Sequence, residues 1–498
     1  MTGTDTAAAW ADLQPRSVWA HFATLCSIPR PSYREAVLRD YLQAWAAERG
    51  IASEVDAVGN LILRRAASPG CAAAPGVILQ AHLDMVCQAN AGTEHDFERD
   101  AIRAVVRDGW LVAEQTTLGA DNGIGVALAL AALEEPGLSH PPLEVLLTVN
   151  EESGMDGARG LAPGTLRGQR LINLDTEEWG HFYLGCAGGI DVEVRHSVAL
   201  SAVPPGHVAV RLEVAGLRGG HSGIDIHLGR GNAIQLLAEA VQELSGLGEV
   251  RLIAMQGGTA RNAIPREAVA VCALPVAAAG RVQECVSRIA ADWQQRYAAH
   301  EAGVSLRSQP VELAADALAL EPHQADRLLA FLRSVVNGRV RSSEDFPGVT
   351  DTSSNLGVLA LDRGQLAVTC KVRSLHGARA HALADAMVAH AQAHGLSAWT
   401  DGEYPGWTPN PASPLLALCQ QVYAAECGQM ASLQVIHAGL ECGLLAASHP
   451  HLDMISFGPD IRGAHAPGER VEIGSVAKCW SLLKAILSAL AVRHGEFK

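Results

Sequence analysis

The sequence lacks the cysteine pattern of a zinc knuckle or of a small disulfide-stapled domain. Its 11 cysteines are scattered and odd in number, and they nowhere form a Cys-x-x-Cys pair. Cysteines used in this way are typical of small buried side chains in a reducing compartment. A long apolar run is also missing, because the longest, around residues 126–133, falls far short of the roughly 20 residues that span a membrane.

Positive charge is scarce as well. The chain has 53 Asp and Glu against 38 Lys and Arg, a formal net charge of −15, which argues against a general surface for nucleic acid or anionic membranes. Residues 1–16 contain neither the basic segment nor the following apolar segment of a secretory signal. We therefore expect a cytoplasmic protein with no nucleic-acid or membrane partner.

Apolar material is plentiful. With 498 residues, 48% of them hydrophobic, the chain is long enough to form two or more compact units. Ser32 and Glu35 match a capping box before a first helix. Strand-like and helix-like segments then alternate, with strands at 77–79, 143–149, 171–174 and 454–457 and helices at 123–133 and 476–492. This alternation predicts an α/β domain with a mixed, largely buried sheet.

A second domain is predicted to be inserted into the first. The segment 188–403 begins with an alternating strand and continues as a mixture of helices and strands, which predicts an α+β lid domain. The predicted division is therefore 1–187 and 404–498 for the catalytic domain and 188–403 for the lid. Because 261–274 resembles 354–372 in pattern, we hypothesise that the lid is an internal duplication.

Five polar segments, each next to an apolar run, supply the side chains of a two-metal site. They are Ala-His-Leu-Asp at 81–84, Gly-Ala-Asp-Asn at 119–122, Asn-Glu-Glu at 150–152, Leu-Asp at 174–175 and Gly-Ala-His at 463–465. Two zinc ions about 3.5–4 Å apart need such imidazole and carboxylate ligands, with one carboxylate to bridge and one left free as a base. Ligands bind outside the carboxyl ends of strands in α/β sheets, where these segments are predicted to lie.

Each segment alone also has a simpler explanation, such as a solvated turn or a helix end. His-Leu-Asp-Met occurs at 82–85 and again at 451–454, but only the first copy follows a strand. The pair at 151–152 follows an apolar strand, whereas the Glu pair at 134–135 closes a helix and the pair at 177–178 is interpreted as loop. Asp84 could orient His82 or cap a turn, and Asp121 could also cap the following helix.

The segments at 81–84, 118–123, 150–152 and 174–175 resemble the signatures of the zinc exopeptidase family that includes carboxypeptidase G and aminoacylase. His-Ala-Gly-Leu-Glu-Cys-Gly at 437–443 and Gly-Ala-His-Ala-Pro-Gly-Glu at 463–469 resemble the dipeptidase branch of that family most closely. The similarity spans nearly the whole chain. It implies a zinc-exopeptidase-like catalytic domain with an inserted lid, and a homodimer.

The resemblance also implies a role for each matched residue. Asp121 would bridge two zinc ions, for which manganese or cobalt could substitute. His82 and Asp175 would complete one metal site, and Glu152 and His465 the other. The remaining implied roles are Glu151 as general base, Asp84 as the partner of His82, His221 as the group that polarises the scissile carbonyl, and Asn262, Arg373 and Gly439 as substrate-binding residues. Arg373 would pair with a substrate carboxylate, and its alternative is a surface arginine on a strand.

The function that follows is metal-dependent hydrolysis of dipeptides, of Xaa-His type and with broad specificity. Glu151 would take a proton from the attacking water and deliver it to the leaving amine. An N-acyl amino acid amidohydrolase using the same metal site is the alternative enzyme. A metal-binding scaffold or receptor without catalysis is the other alternative, and the presence of Glu151 with a complete ligand set argues against it.

Overall fold

A computed structural model describes residues 13–492, which form two compact units. The first unit contains the described residues up to Gly185, Pro409–Val435 and the described residues from Leu440 onward. The second unit contains Cys186–Thr408 and Ile436–Gly439. The domain boundaries proposed from the sequence, at 187/188 and 403/404, stay predictions.

The helices of the described chain are α1 (Arg16–Ser27), α2 (Ala36–Glu48), α3 (Ala120–Glu134), α4 (Glu151–Gly154), α5 (Asp156–Gly160), α6 (Ala233–Leu244), α7 (Val276–Ala279), α8 (Val282–Arg296), α9 (Pro322–Ser334), α10 (Gly377–Ala393), α11 (Pro414–Cys427), α12 (Glu441–Ser448) and α13 (Ile473–Ala491).

The strands are β1 (Ala52–Val55), β2 (Leu61–Arg65), β3 (Val77–His82), β4 (Ala104–Arg107), β5 (Trp110–Ala113), β6 (Leu143–Thr148), β7 (Arg170–Asn173), β8 (His181–Cys186), β9 (Gly188–Ser197), β10 (Leu200–Ala202), β11 (His207–Ala215), β12 (Gly220–His221), β13 (Arg251–Gly257), β14 (Ala263–Ile264), β15 (Ala268–Pro275), β16 (Ser305–Val311), β17 (Leu318–Leu320), β18 (Gly338–Ser342), β19 (Thr350–Asp362), β20 (Gln365–Ser374), β21 (Ala398–Tyr404), β22 (Ser432–Ile436), β23 (Asp453–Ser456), β24 (Ile461–Arg462) and β25 (Arg470–Glu472).

The first unit is built on an eight-stranded sheet in the order β1-β2-β6-β3-β7-β23-β8-β22. Its four central strands, β6, β3, β7 and β23, run parallel, whereas β1, β2 and β8 pair antiparallel with their neighbours. Every residue of β3 and β6 is buried, as expected of parallel strands covered on both faces. The mixed, largely buried sheet predicted from the sequence is confirmed.

The capping box predicted at Ser32 and Glu35 is wrong. Helix α2 starts at Ala36 without a side-chain cap, and helix α1 precedes it. The two polar side chains are used elsewhere, since the Ser32 hydroxyl donates to the Asp84 carboxylate at 2.7 Å and the Glu35 carboxylate accepts from the Asn150 amide at 2.9 Å. A capping signature consists of polar side chains that can form hydrogen bonds, and here they form them with the loops that follow β3 and β6.

Helix α13 is long and apolar enough, by length and composition, to cross a membrane, and it alone meets that test among residues 13–492. Half of its apolar stretch is buried inside the fold. It packs against α11 and α3, with Trp480, Leu483, Ile486 and Leu487 among its buried side chains. This burial is that of a core helix.

The second unit has a sheet in the order β16-β11-β15-β13-β19-β20-β9-β21, with β18 paired beside β13 on β19. Helices α6, α8, α9 and α10 pack on one face, because alternate apolar residues of β9, β11, β15 and β20 share one hydrophobic core with them. The opposite face of the sheet carries polar side chains such as Asp191, Lys371 and Arg373. This alternation is the period of two expected of strands with one apolar and one polar face, although these three polar side chains are themselves buried.

The two halves of this sheet have the same connectivity. The half β11-α6-β13-β15-α8-β16 has its strands in the order β16-β11-β15-β13, and the half β9-α9-β19-β20-α10-β21 has the order β21-β9-β20-β19. Each half is therefore a four-stranded antiparallel unit with its last strand outermost, and the first lies in the chain between β9 and α9. The repeated connectivity supports the hypothesised duplication, which stays a hypothesis.

Candidate active site

The ends of three neighbouring parallel strands bring the candidate ligands together. His82 is the last residue of β3, Asp175 follows β7, and Glu151 and Glu152 follow β6. Because parallel strands end at the same edge of a sheet, the three loops that follow them are neighbours. Asn150 turns the chain sharply with a positive φ of 56°, so that the two glutamates begin the short helix α4.

Asp121 divides its carboxylate between two histidines. Its Oδ1 lies 3.2 Å from His82 Nε2, and its Oδ2 lies 3.2 Å from His465 Nε2. Asp175 Oδ1 also lies 3.4 Å from His82 Nε2, and Glu152 Oε2 lies 3.1 Å from His465 Nε2. Each imidazole therefore meets one oxygen of Asp121 and one oxygen of a second carboxylate. We call these groups the His82 half-site and the His465 half-site.

The donor set of the two half-sites fits a pair of divalent cations. His82, Asp121 and Glu152 each place a ligand atom within 4.8 Å of the others. Glu152 Oε1 is buried without a hydrogen-bond partner among the described residues, and Asp175 Oδ1, also buried, has His82 Nε2 at 3.4 Å. Buried carboxylates are costly unless cations compensate them, and two imidazoles cannot neutralise this many acids. Nitrogen and oxygen donors of this kind suit zinc, manganese or cobalt.

The pKa values of the half-site residues reflect the same crowding of charge. Burial opposes protonation of His82, but the charge of Asp175 and hydrogen bonds with Asp121, Asp175 and Asp84 raise its pKa well above the usual value. Burial raises the pKa of Asp175 to about 7. Burial, together with the charges of Asp175, Glu441 and Glu152, also raises the pKa of Glu151, against the charge of His82.

Asp84 connects His82 to the two glutamates. Its Oδ1 lies 3.3 Å from His82 Nδ1 and accepts from the Glu151 amide at 3.0 Å, and its Oδ2 accepts from the Glu152 amide at 3.1 Å. The side chain is completely buried. It is therefore placed both to orient the imidazole and to hold the turn after β6, so the two interpretations left open for it are compatible. The interpretation of Asp121 as a helix cap is wrong, because Gly119 precedes α3 without a side-chain cap and the Asp121 carboxylate bonds to the two histidines.

Glu469 is a residue whose contribution the sequence did not reveal. Its buried carboxylate accepts hydrogen bonds from four successive backbone amides, at 2.7, 2.9, 2.8 and 3.2 Å. These amides belong to residues 118–121, so Glu469 fixes the segment that carries Asp121. Successive N–H groups that converge on one carboxylate form an anion-binding nest. The only sequence signal was its place in the motif at 463–469.

Glu177 and Glu441 are two further acidic residues near the half-sites. Burial and the charge of Asp121 raise the pKa of Glu177 to about 8. Glu177 lies in a loop, as the sequence indicates. Burial raises the pKa of Glu441 to about 8, while the charge of His82 opposes the shift. The sequence assigns no function to either residue, because the Glu pair at 177–178 is interpreted as loop and Glu441 occurs only within the motif at 437–443.

In the second unit, His221 is held as a neutral hydrogen-bond donor. Its Nδ1 accepts from the backbone amides of Gly223 at 3.1 Å and Ile224 at 3.0 Å, so its proton must be on Nε2. Burial and the nearby Arg373 guanidinium lower the pKa of His221 to about 4. The imidazole is therefore uncharged at neutral pH and has Nε2–H available for donation.

Arg373 is not a surface arginine. It is only 4% exposed, and its guanidinium donates to the Tyr404 hydroxyl and, at 3.4 Å, to the Ser222 hydroxyl. His437, in the same unit, has its Nε2 2.7 Å from the Ser353 hydroxyl. Because these hydrogen-bond partners of the Arg373 guanidinium are neutral hydroxyls, they do not compensate its positive charge. The guanidinium therefore suits an anionic ligand.

The other two predicted substrate residues lie in loops of the second unit. Asn262 is exposed, and its carbonyl accepts from the Ser222 amide at 2.9 Å, beside His221. The Asn355 side chain holds this loop by donating to the carbonyls of Arg261 and Ala263. Gly439 lies between β22 and α12. Their contact with substrate stays a prediction.

The lowered histidine pKa values of the second unit predict how its stability depends on pH. Burial and Arg373 lower the pKa of His437 to about 3, against the charge of Asp351, and His221 has a pKa of about 4 for the same reasons, against Asp225. An unfolded histidine titrates near 6.5, so between pH 6.5 and 3 the unfolded chain binds more protons than the folded chain. Stability should therefore fall as the pH falls through this window, measured as the urea midpoint against pH.

A matched comparison isolates these two histidines. Replacement of both with glutamine should flatten the slope of the midpoint below pH 6.5, whereas His381→Gln, an exposed histidine paired with Glu403, should leave it unchanged. An identical slope in the double variant and the parent would show that neither histidine is held neutral.

The fold and this arrangement of candidate metal ligands indicate a peptidase. The profile of Peptidase family M20/M25/M40 matches residues 78–489, and the chain belongs to that family. The similarity proposed from the motifs is confirmed at this level, and it extends over almost the entire chain.

Particular relatives agree with the dipeptidase branch. The chain is 41% identical over 486 residues to the cytosol non-specific dipeptidase of Escherichia coli (strain K12), covering 97% of this chain and 99% of that protein. It is similar in structure to the aminoacylhistidine dipeptidase of Vibrio alginolyticus, with a TM-score of 0.86 and 39% identity over 96% of this chain and 97% of that one. Aminopeptidase PepT from Bacillus cereus shares the fold at 16% identity, with a TM-score of 0.56 over 96% of this chain and 100% of that one.

Proposed function

We propose that the chain is a dinuclear metallo-dipeptidase that hydrolyses Xaa-His-type dipeptides with broad specificity. The observation that carries the proposal is the Asp121 carboxylate, whose two oxygens face His82 and His465 in separate half-sites that Asp175 and Glu152 complete. Relatives that are named dipeptidases at 41% and 39% identity support the substrate class.

Two zinc ions are the proposed cofactors, with manganese or cobalt as substitutes. His82 and Asp175 would hold one ion, Glu152 and His465 the other, and Asp121 both. When bound, the ions would acidify a water molecule and polarise the peptide carbonyl. Asp84 keeps His82 in position through Nδ1 and keeps the Glu151 amide fixed.

Glu151 is the proposed general base. Its side chain makes no hydrogen bond with any residue of 13–492, and Asp84 holds its backbone amide, which leaves the carboxylate available to the attacking water. Glu151 would take the proton of that water and then deliver it to the leaving amine. His221 would donate its Nε2 hydrogen to the oxygen on which negative charge develops, as its tautomer allows.

The substrate class is tested by measuring product release with the metal-reconstituted protein. Ala-His, β-Ala-His, Leu-Gly and N-acetyl-histidine are compared, each with a chelator-treated control. The proposal expects chelator-sensitive cleavage of the dipeptides. Cleavage of N-acetyl-histidine alone would favour an N-acyl amino acid amidohydrolase, and full metal occupancy without any cleavage would favour a binding protein.

Arg373 is proposed to bind the C-terminal carboxylate of the dipeptide, and its replacement should raise KM. In Arg373→Met, kcat/KM for Ala-His should fall about 10²-fold, because a charge-assisted hydrogen bond contributes about 1.5–3 kcal/mol. The C-terminal amide of Ala-His lacks the carboxylate, so its kcat/KM should change little. Arg211→Met, on β11 with a half-exposed guanidinium beside Glu213, is the control. An equal loss on both substrates would remove Arg373 from this role.

Three further properties are part of the proposal. Similarity to a protein named a cytosol dipeptidase supports a cytoplasmic location. The dipeptide is the proposed partner, without nucleic acid or membrane. A homodimer is implied by the family resemblance, and sedimentation of the purified chain would test it.

A further inference from the structure

A chain of completely buried polar side chains crosses the sheet of the first unit. Its members come from the four central strands and from helix α12, and each is 0% exposed: Thr148, Glu441, Gln80, Asn173 and Ser456. Buried polar side chains are costly unless they are hydrogen-bonded, so a connected set of five requires an explanation.

The hydrogen bonds of this chain run in one direction and end at one acceptor, Glu441. The Ser456 hydroxyl donates to Asn173 Oδ1, and Asn173 Nδ2 donates to Gln80 Oε1. Gln80 Nε2 then donates to Glu441 Oε2 at 2.6 Å. From the other side, the Thr148 hydroxyl donates to the same oxygen at 2.7 Å. Glu441 is therefore the terminal acceptor of the chain, and the successive hydrogen bonds polarise one another toward its Oε2.

The members of the chain are directly connected to the half-site residues. Gln80 precedes His82 by two residues in β3, and Thr148 precedes Glu151 by three at the end of β6. Asn173 Oδ1 also accepts from the Asp175 backbone amide at 3.3 Å. The loops that carry the ligands therefore begin at residues that the chain holds in place.

Glu441 itself is not a member of either half-site. Its Oε2 is engaged by Gln80 and Thr148, and its Oε1 is buried without a hydrogen-bond partner among the described residues. It lies at the start of α12, whose N-terminus favours a negative charge. Among the described residues, the hydrogen bonds of the Glu441 side chain go to Gln80 and Thr148 and not to a half-site residue.

We propose that Glu441 is a positioning residue, the terminal acceptor of a buried hydrogen-bond chain that aligns the strand ends bearing His82, Glu151 and Asp175 for metal binding. The inference rests on the proposed metal site and goes beyond it, because it assigns a role to a residue outside the ligand set. Partners of metal ligands outside the coordination sphere typically change metal affinity or activity about 10–100-fold when they are lost.

Glu441→Gln tests the proposal with little change of shape. The glutamine oxygen can still accept from Gln80 and Thr148, so the substitution keeps the two hydrogen bonds. It replaces an acid, which cations bound nearby would favour in its ionised form, with an amide that cannot ionise. Apo protein is titrated with Zn²⁺ against a chromophoric chelator, and kcat and KM for Ala-His are measured on loaded protein. Zinc affinity should fall about 10–100-fold, and kcat should fall with KM nearly unchanged.

Glu301→Gln is the matched control. Glu301 is also 0% exposed, but it lies in the second unit and accepts from the backbone amides of Arg218 at 2.8 Å and Gly231 at 3.0 Å. The substitution should lower the thermal midpoint, because a buried carboxylate is lost, and it should leave the zinc affinity unchanged. Equal zinc affinities in Glu441→Gln and Glu301→Gln would overturn the proposal.

Thr148→Val keeps the test decisive if Glu441→Gln does not fold. Valine matches the shape of threonine and removes one donor to Glu441, so zinc affinity should fall in the same direction by a smaller factor. Parental affinity in this variant would also overturn the proposal. The parent protein separates the two hypotheses: if it binds no zinc, the proposed metal site fails, and if it binds zinc that neither variant weakens, only the role of Glu441 fails.

Discussion

Glu151→Gln should lower kcat for dipeptide cleavage by about 10⁴-fold, the upper range for loss of a general acid–base group. Glutamine has the size of glutamate but cannot accept a proton from water at neutral pH. The backbone amide of residue 151 would still donate to Asp84, so the turn after β6 should keep its shape. Steady-state kinetics on Ala-His, with metal content measured on the same samples, gives the result.

The metal content decides how a loss of activity is interpreted. Glu151 lies outside both half-sites, so the variant should bind the same number of ions as the parent. Glu134→Gln is the control, because Glu134 begins another Glu-Glu pair but is tied to His21 and Arg49 at the end of α3. A variant at position 151 that is fully loaded and retains kcat within tenfold of the parent would exclude Glu151 as the base.

Local patterns predicted the central elements of the fold because parallel strands buried on both faces are continuous apolar runs. The segments at 77–79 and 143–149 became β3 and β6, and helix α3 covers the predicted 123–133. The capping box failed since Ser32 and Glu35 bond to Asp84 and Asn150, residues far away in the sequence. No local pattern contains such long-range partners.

The site was predictable where its residues follow strands and unpredictable where its support comes from a distance. His82, Asp175 and the Glu151–Glu152 pair could be selected because each follows an apolar run. Glu469 and Glu441 could not be selected from the sequence, because their hydrogen-bond partners lie far away in it. Glu469 accepts from the amides of residues 118–121, and Glu441 accepts from Gln80 and Thr148. Spacing identifies groups on one element, whereas these contacts join segments about 300 residues apart or more.

Asp121→Asn should abolish the binding of both metal ions, whereas loss of either histidine should affect one half-site. Asparagine has one carbonyl oxygen, which can bind a cation in only one half-site. Its NH₂ group has no lone pair available for a cation in the other half-site. Affinity should therefore fall by more than the about 10–100-fold that follows loss of a partner outside the coordination sphere. Zinc content after dialysis against a buffered chelator measures this for Asp121→Asn, His82→Gln and His465→Gln.

The comparison among these variants tests the bridge itself. Asp156→Asn, at an exposed position at the start of α5, controls for loss of one surface charge and should retain the parental zinc content. If Asp121 serves both half-sites, its variant should lose more zinc than either histidine variant. If all three variants lost the same amount of zinc, the two ions would depend on each other through another residue. If Asp121→Asn retained two ions, Asp175 and Glu152 would hold them without a shared carboxylate. Only the first result is compatible with the geometry in which the two Asp121 oxygens face different histidines.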